Sequence, residues 1–277
     1  MLKSFCKKLV PVVGLLVFSS LAKAQEGSNT ADLEKKKDFN LSTSVSVTAG
    51  DSVNTENEPN TSISYNLNLV GRFENGYTIT LDTYLDQQAN KENSNNNSSE
   101  VRDLWMQVGK CFADVKAVDC LGYDIVGTIG NSTGSQKSEK VGSLGAKLKY
   151  SKKFSNFNIS QYVRYTRNFY NAEITKDGRV NNSDIFRLLN VLQIPFGDKL
   201  RFSGAIVYDY ALSFQNVGKA FFHSDFSLGY NISKMYNFTL GVETLSQSTK
   251  AADGVTDQVK LLSARGSTGY VRLGASF

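Results

Sequence analysis

The last nine residues, Gly269 to Phe277, read GYVRLGASF and alternate between two kinds of side chain. One face carries Gly269, Val271, Leu273, Ala275 and Phe277, and the other carries Tyr270, Arg272, Gly274 and Ser276. A period of two is typical of a β-strand with one face in an apolar medium and one in a polar medium. A soluble β-sandwich and a lipid-embedded barrel both provide such surroundings, so the rest of the chain has to distinguish them.

The start of the chain, 1–24, has the three parts of a secretory signal peptide. Lys3, Lys7 and Lys8 form a positive start, residues 9–21 are mostly apolar, and Ala22-Lys23-Ala24 has the form of a cleavage site. The apolar run is too short to span a bilayer as a helix, which argues against a retained anchor. We expect a cleaved signal peptide at 1–24, a flexible polar lead-in at 25–39 and a folded part at 40–277.

The charge of the chain belongs mostly to this leader. The net charge of the whole chain is +5, and the leader carries four lysines and no acidic residue, so the mature chain is close to neutral at +1. No dense Lys/Arg block, Gly-rich phosphate loop or nucleotide fingerprint occurs. The sequence therefore predicts no nucleic-acid partner and no cofactor.

Two cysteines, Cys111 and Cys120, and one histidine, His223, remain after the leader. Two thiols and a distant histidine make a poor metal site, so we expect no metal. The segment CFADVKAVDC sits where a hairpin would close, and an exported chain is in a compartment that permits disulfides. We expect a bond between the two cysteines rather than free thiols, worth about 2–3 kcal/mol for so short a loop.

From Asn40 onward, alternating strands are joined by connections that are short and long in turn. The motif Glu74-Asn75-Gly76 predicts one of the short, tight turns. The segment 185–196 is apolar on both faces, so its pattern does not fix which side chains point which way. The twelve predicted strands are 41–49, 61–73, 77–86, 101–110, 121–129, 144–150, 157–166, 185–196, 200–210, 223–232, 238–245 and about 260–277.

An even strand number, alternating loop lengths, an export leader and a terminal aromatic together resemble the porin-like outer-membrane β-barrels of Gram-negative bacteria. The resemblance implies an all-β fold, a closed antiparallel up-and-down transmembrane barrel of about twelve strands, embedded in outer-membrane lipid. It also implies that the barrel-assembly machinery reads a C-terminal signal made by Val271, Leu273, Ala275 and Phe277.

If the apolar faces meet lipid, the polar faces line a lumen. Cations lie near the short-turn ends and acids toward the long-loop ends, which predicts a basic inner mouth and an acidic outer one. Such charges either line an open pore or pair across the interior and fill it, and twelve strands fit both outcomes. The predicted lumen residues are Arg72, Asp82, Asp86, Asp103, Lys147, Lys149, Arg164, Arg201, Asp209, His223, Asp225, Glu243 and Arg272.

Three functions are compatible with such a barrel. The first is a narrow porin-like channel for ions or small polar solutes, selective through rings of charge and through its diameter. The second is a structural or adhesive barrel that binds partners through long loops such as the Asn-rich one at 91–99. The third is an outer-membrane lipid hydrolase, but no serine motif around the single histidine supplies a nucleophile and its base. We therefore expect a channel with no catalytic residues.

Overall fold

A computed structural model describes residues 39–52, 61–89, 98–112, 119–248 and 267–277. The predicted signal peptide and all but the last residue of the predicted lead-in lie outside these ranges, so both stay predictions. Among the described residues, none of the helices has the length and apolarity needed to cross a bilayer.

The described chain is built almost entirely from antiparallel strands. Strands β4 and β5 are two parts of one barrel strand, because β3 pairs with both of them on either side of Arg102 and Asp103. The barrel therefore has twelve strands, as the sequence predicted. The strands are β1 (Phe39–Ser52), β2 (Thr61–Phe73), β3 (Tyr77–Ala89), β4 (Ser98–Val101), β5 (Leu104–Phe112), β6 (Cys120–Ile129), β7 (Lys140–Lys153), β8 (Asn158–Tyr170), β9 (Asn182–Phe196), β10 (Leu200–Ser213), β11 (Gly218–Asn231), β12 (Tyr236–Ser248) and β13 (Ser267–Ser276).

The sheet closes on itself. The last strand pairs with the first, with Val47 opposite Leu273, and β1 pairs in turn with β2, which pairs with β3. Closure leaves no unpaired strand edge, so every strand finds hydrogen-bond partners within the sheet. Such closure is what a sheet needs in a medium that offers no hydrogen bonds.

The two faces of the barrel are inverted relative to a soluble protein, and β7 shows this most plainly. Leu148 is 68% exposed. The side chains of its neighbours Lys147 and Lys149 are only 14% and 15% exposed. A leucine on the outside and lysines on the inside fit a barrel with lipid around it and polar groups within it. The same arrangement recurs in β8, where Val163 is exposed and Arg164 is half-buried.

Aromatic pairs lie on the outer face near the short turns. Phe39 and Phe73 have ring centroids 4.9 Å apart, and Phe154 and Phe157 stack at 4.5 Å. Aromatic rings at this level are typical of the girdle that transmembrane barrels place at the membrane interface.

The predicted Asn-Gly turn is confirmed. Gly76 has a positive φ of 83°, and its amide donates to the carbonyl of Phe73 at 3.0 Å. The Asn75 side chain accepts a hydrogen bond from the amide of Tyr77, which fixes the register of β2 against β3.

Two outer connections differ from the prediction. Strand β10 ends at Ser213 rather than at 210 and β11 begins at Gly218 rather than at 223, so the connection between them shrinks to residues 214–217. The connection from β6 to β7 contains a short helix, α1 (Thr133–Lys137), that the sequence analysis placed in a loop. Its N-cap is Ser132, whose hydroxyl accepts a hydrogen bond from the amide of Ser135.

A disulfide joins Cys111 of β5 to Cys120 of β6, with Cα atoms 5.2 Å apart. The two residues lie at the ends of adjacent paired strands, so the bond ties the base of their connection together.

Candidate functional site: a charged inner face

One cross-strand row of the inner face contains five charged residues. Residues paired directly across a sheet point to the same side. The register pairs six residues in sequence from β5 to β10. The row contains both signs and runs obliquely, from Asp124 near the short-turn end of β6 to Asp209 near the long-loop end of β10, so acidic residues lie toward both ends of the barrel. Its members are Gly109, Asp124, Lys147, Arg164, Arg187 and Asp209.

Asp124 is the buried anion of this row. Its side chain is 0% exposed, and it forms ion pairs with Lys147 at 2.8 Å and Lys149 at 2.7 Å. Gly109 makes room for it, because a Cβ at that position would lie 1.8 Å from the Asp124 carboxylate. The sequence analysis did not include Asp124 among the lumen residues, although the alternation of β6 already placed it opposite Tyr123 and Ile125.

Lys147 is held from several sides. Its ammonium donates to the Gln107 side chain at 2.7 Å and lies over the rings of Trp105 and Tyr162, at 5.9 Å and 5.0 Å from their centroids. These contacts fix the long side chain against the wall. The predicted residues Lys147 and Lys149 thus lie together, around an anion that was not predicted.

Arg187 and Asp209 form a bidentate ion pair. The two guanidinium nitrogens donate to the two carboxylate oxygens, both at 2.6 Å. Asp209 was predicted to line the lumen, whereas Arg187 was not assigned because β9 is apolar on both faces. Its exposed neighbours Phe186 and Leu188 lie on the outer face.

Arg164 lies between Lys147 and Arg187 in the row and differs from both. It forms no ion pair within the described chain, and its Nε has no hydrogen-bond partner there. Its two cationic neighbours pair with Asp124 and Asp209, whereas Arg164 has no ion-pair partner among the described residues.

The strands β3 and β4 present carboxylates to the same interior. Asp86 accepts a hydrogen bond from Ser64 at 2.6 Å and pairs with Arg102, which lies over the Tyr84 ring at 5.3 Å. Asp82, four residues earlier, accepts a hydrogen bond from the neutral amide of Asn66.

Asp103 fastens the β6–β7 connection to the break between β4 and β5. Its carboxylate accepts hydrogen bonds from the amides of Asn131 and Ser132 and from the Ser135 hydroxyl, at 3.1, 2.9 and 2.7 Å, and lies 3.5 Å from Lys140. Burial by itself raises the pKa of Asp103, but the donors at Ser132 and Ser135, together with Lys140, bring that pKa below its ordinary value. The carboxylate is therefore charged at neutral pH.

The carboxylates of β3 and β4, Asp103 and the two arginines Arg164 and Arg187 line one cavity of ≈ 660 Å³. It brings together four of the predicted residues, Asp82, Asp86, Asp103 and Arg164. The interior is thus partly occupied by ion pairs and partly open. The whole lining consists of Asp82, Tyr84, Asp86, Glu100, Arg102, Asp103, Trp105, Thr128, Ser132, Arg164 and Arg187.

The remaining predicted residues lie outside the lining of this cavity. Asp225 pairs in register with Glu243 and accepts a hydrogen bond from the Tyr270 hydroxyl at 2.8 Å. The Arg272 guanidinium donates to Thr48 at 3.0 Å. The last three are placed by register alone, with Arg72 opposite Thr78, Arg201 opposite Gly229 and His223 opposite Val207.

The closed sheet, the apolar exterior and the charged interior define a twelve-stranded barrel of the architecture that outer-membrane channels have. Two of the solved structures that share this fold are outer-membrane proteins. One is an outer-membrane channel from Pseudomonas putida F1, with a TM-score of 0.59 and 8% identity over 89% of this chain and 100% of that chain. The other is the NanC porin, with a TM-score of 0.55 and 14% identity over 84% of this chain and 98% of that chain. Neither a protein-family model nor a curated protein sequence matches the chain.

Proposed function

We propose that this chain is an outer-membrane channel that passes ions and small polar solutes. The observation that carries the proposal is the charged cavity of ≈ 660 Å³ inside a closed barrel whose outside is apolar. Rings of charged side chains at a constriction are how such pores select their solutes. The two similar structures are both named as outer-membrane channels or porins, which supports the same function here.

The proposal includes the surroundings of the channel. The exposed apolar side chains contact outer-membrane lipid, and the predicted C-terminal signal at Val271, Leu273, Ala275 and Phe277 serves the barrel-assembly machinery. The short turns lie on the periplasmic side, together with the start of β1 and the end of β13.

A lipid hydrolase finds no support in the geometry. His223 lies on the inner face, paired with Val207 and two residues from Asp225. A base in that position is separated from the bilayer by the barrel wall, so it cannot act on a lipid. The loop proposed for adhesion, around 91–99, lies mostly outside the described residues.

The test is single-channel recording with a thiol placed on either face of one strand. Thr128 lines the cavity, whereas its neighbour Ile129 is 49% exposed on the outer face. A charged, water-soluble thiosulfonate reagent should reduce the conductance of Thr128→Cys in steps and leave the conductance of Ile129→Cys unchanged.

The two residues are adjacent in β6, so differences in depth along the strand are minimal. A protein that folds and inserts but shows no conductance contradicts the channel. Equal block of both variants, or of neither, contradicts the assignment of the two faces.

A further inference from the structure

Two charged side chains at the middle of the barrel have no ion-pair partner within the described chain. Asp82 is near the centre of β3 and Arg164 is near the centre of β8, and both line the same cavity. The other charged groups of the lining form ion pairs, except Glu100 near the outer end. Asp86 pairs with Arg102, Asp103 with Lys140, and Arg187 with Asp209, while Glu100 accepts a hydrogen bond from the Gly134 amide at 3.2 Å.

The two walls around these residues carry opposite excess charge. On the strands β6 to β10, the row and its neighbour Lys149 place four cations against two carboxylates, Asp124 and Asp209. On the other wall, four carboxylates at 82, 86, 100 and 103 meet one cation, Arg102, and Lys140 reaches Asp103 from the start of β7. Within the described chain, the cavity therefore has a positive side, on which Arg164 lacks an ion-pair partner, and a negative side, on which Asp82 is hydrogen-bonded to Asn66 but lacks a cationic partner.

Each unpaired group is a strong binding partner for one kind of solute group. A guanidinium matches a carboxylate, and a carboxylate matches an ammonium group. A solute with a single charge is attracted by one wall and repelled by the other, and a neutral solute gains nothing from either. A solute that carries both charges is attracted by both walls.

We propose that the channel selects small zwitterionic solutes, such as free amino acids and short peptides, with the solute carboxylate at Arg164 and its ammonium group at Asp82. This inference rests on the proposed channel function and names its substrate class. The cavity has a volume of ≈ 660 Å³. Small-molecule sites typically enclose several hundred cubic ångströms, so the cavity can hold one such solute.

The test compares four solutes of nearly equal size in a liposome-swelling assay. Glycylglycine is a zwitterion, N-acetylglycine an anion, glycylglycinamide a cation and N-acetylglycinamide neutral. In proteoliposomes of the wild-type chain, glycylglycine should enter severalfold faster than the other three. Asp82→Asn and Arg164→Gln should each reduce that advantage, and the double variant should bring glycylglycine to the rate of the neutral solute.

Control variants make the same charge changes elsewhere. Lys176→Gln and Asp177→Asn alter exposed residues of the β8–β9 connection that do not line the cavity, and should keep the wild-type order of rates. Trp105 is the single tryptophan and lines the cavity, so its fluorescence in detergent provides a second readout, of glycylglycine binding, that requires no transport.

The outcomes separate the two proposals. If none of the four solutes enters, the channel function itself is contradicted. If glycylglycine and N-acetylglycinamide enter equally fast, the channel stands and the zwitterion inference is wrong. If glycylglycine is favoured but Asp82→Asn and Arg164→Gln leave its rate and its effect on Trp105 unchanged, these residues do not form the site.

Discussion

Removing the carboxylate of Asp124 should destabilise the barrel more than any other single charge change on its inner face. The side chain is 0% exposed and lies between two lysines that are 14% and 15% exposed. Asp124→Ala would leave both ammonium groups facing each other without a counter-charge. Breaking a buried ion pair from one side costs about 3–5 kcal/mol.

The structure favours the lower end of that range. Lys147 keeps the Gln107 side chain as an acceptor, and both lysine side chains remain partly exposed, at 14% and 15%. We expect a loss of about 3 kcal/mol, which is roughly a hundredfold in the unfolding equilibrium. Asp124→Asn keeps one acceptor oxygen in place and should lose less. The assay is guanidinium unfolding in lipid vesicles, followed by the fluorescence of Trp105.

A matched control and a second readout make the result interpretable. Asp198→Ala removes an exposed carboxylate in the β9–β10 turn. A surface change of this kind should alter the free energy of unfolding by about 0.5 kcal/mol at most. In planar bilayers, Asp124→Ala should also shift ion selectivity toward anions, because two cations lose their partner. A loss equal to that of the Asp198 control, with unchanged selectivity, would refute the reasoning.

Two further predictions follow from the same wall and its outer rim. Gly109→Ala should block correct pairing of β5 with β6, because its Cβ would lie 1.8 Å from the Asp124 carboxylate and 2.2 Å from the Tyr123 carbonyl. In the control Gly127→Ala, the added Cβ meets nothing closer than 3.7 Å, so this variant should fold normally. The yield of heat-modifiable barrel on gels compares the two variants, and equal yields would contradict the steric argument. The pKa of Asp103 is lowered in the folded chain, so the contribution of this carboxylate to holding the α1 connection is complete above about pH 3.8 and is lost as the pH falls through the folded-state pKa. The hydrogen-exchange protection of amides 131–135, corrected for intrinsic rates, should therefore decrease only at acid pH. Asp103→Asn should lower that protection at neutral pH and flatten its pH dependence, and an unchanged profile would contradict the role of the carboxylate.

The alternation of single strands predicted the barrel well. Patterns such as that of 61–73, with Ile63, Tyr65 and Leu67 on one face, require only a period of two, which is a local property. The Asn-Gly turn after it is also local, since Gly76 takes up a positive φ that other residues avoid. Closure then follows from the even strand number and the chemistry of lipid.

The pairing of side chains across strands could not be predicted in the same way. Asp124 meets Lys147 and Lys149 only because β6 and β7 pair in one particular register, which no single strand encodes. Arg187 was missed for a different reason. In β9, Leu189 and Val191 share the inner face with it, so the strand is apolar on both sides and its pattern gives no direction. The start of β11 was missed because Ala220, Phe221 and Phe222 break the alternation.

The measurement that tests the central claim most directly is fluorescence quenching from the two sides of the wall. The account predicts that Trp105 of the wild-type protein in vesicles is quenched by aqueous acrylamide and not by lipids brominated on their acyl chains. A Leu148→Trp variant in a Trp105→Phe background should show the reverse, because residue 148 is on the exposed outer face. Quenching of both tryptophans by acrylamide alone would contradict a barrel whose outer surface lies in lipid.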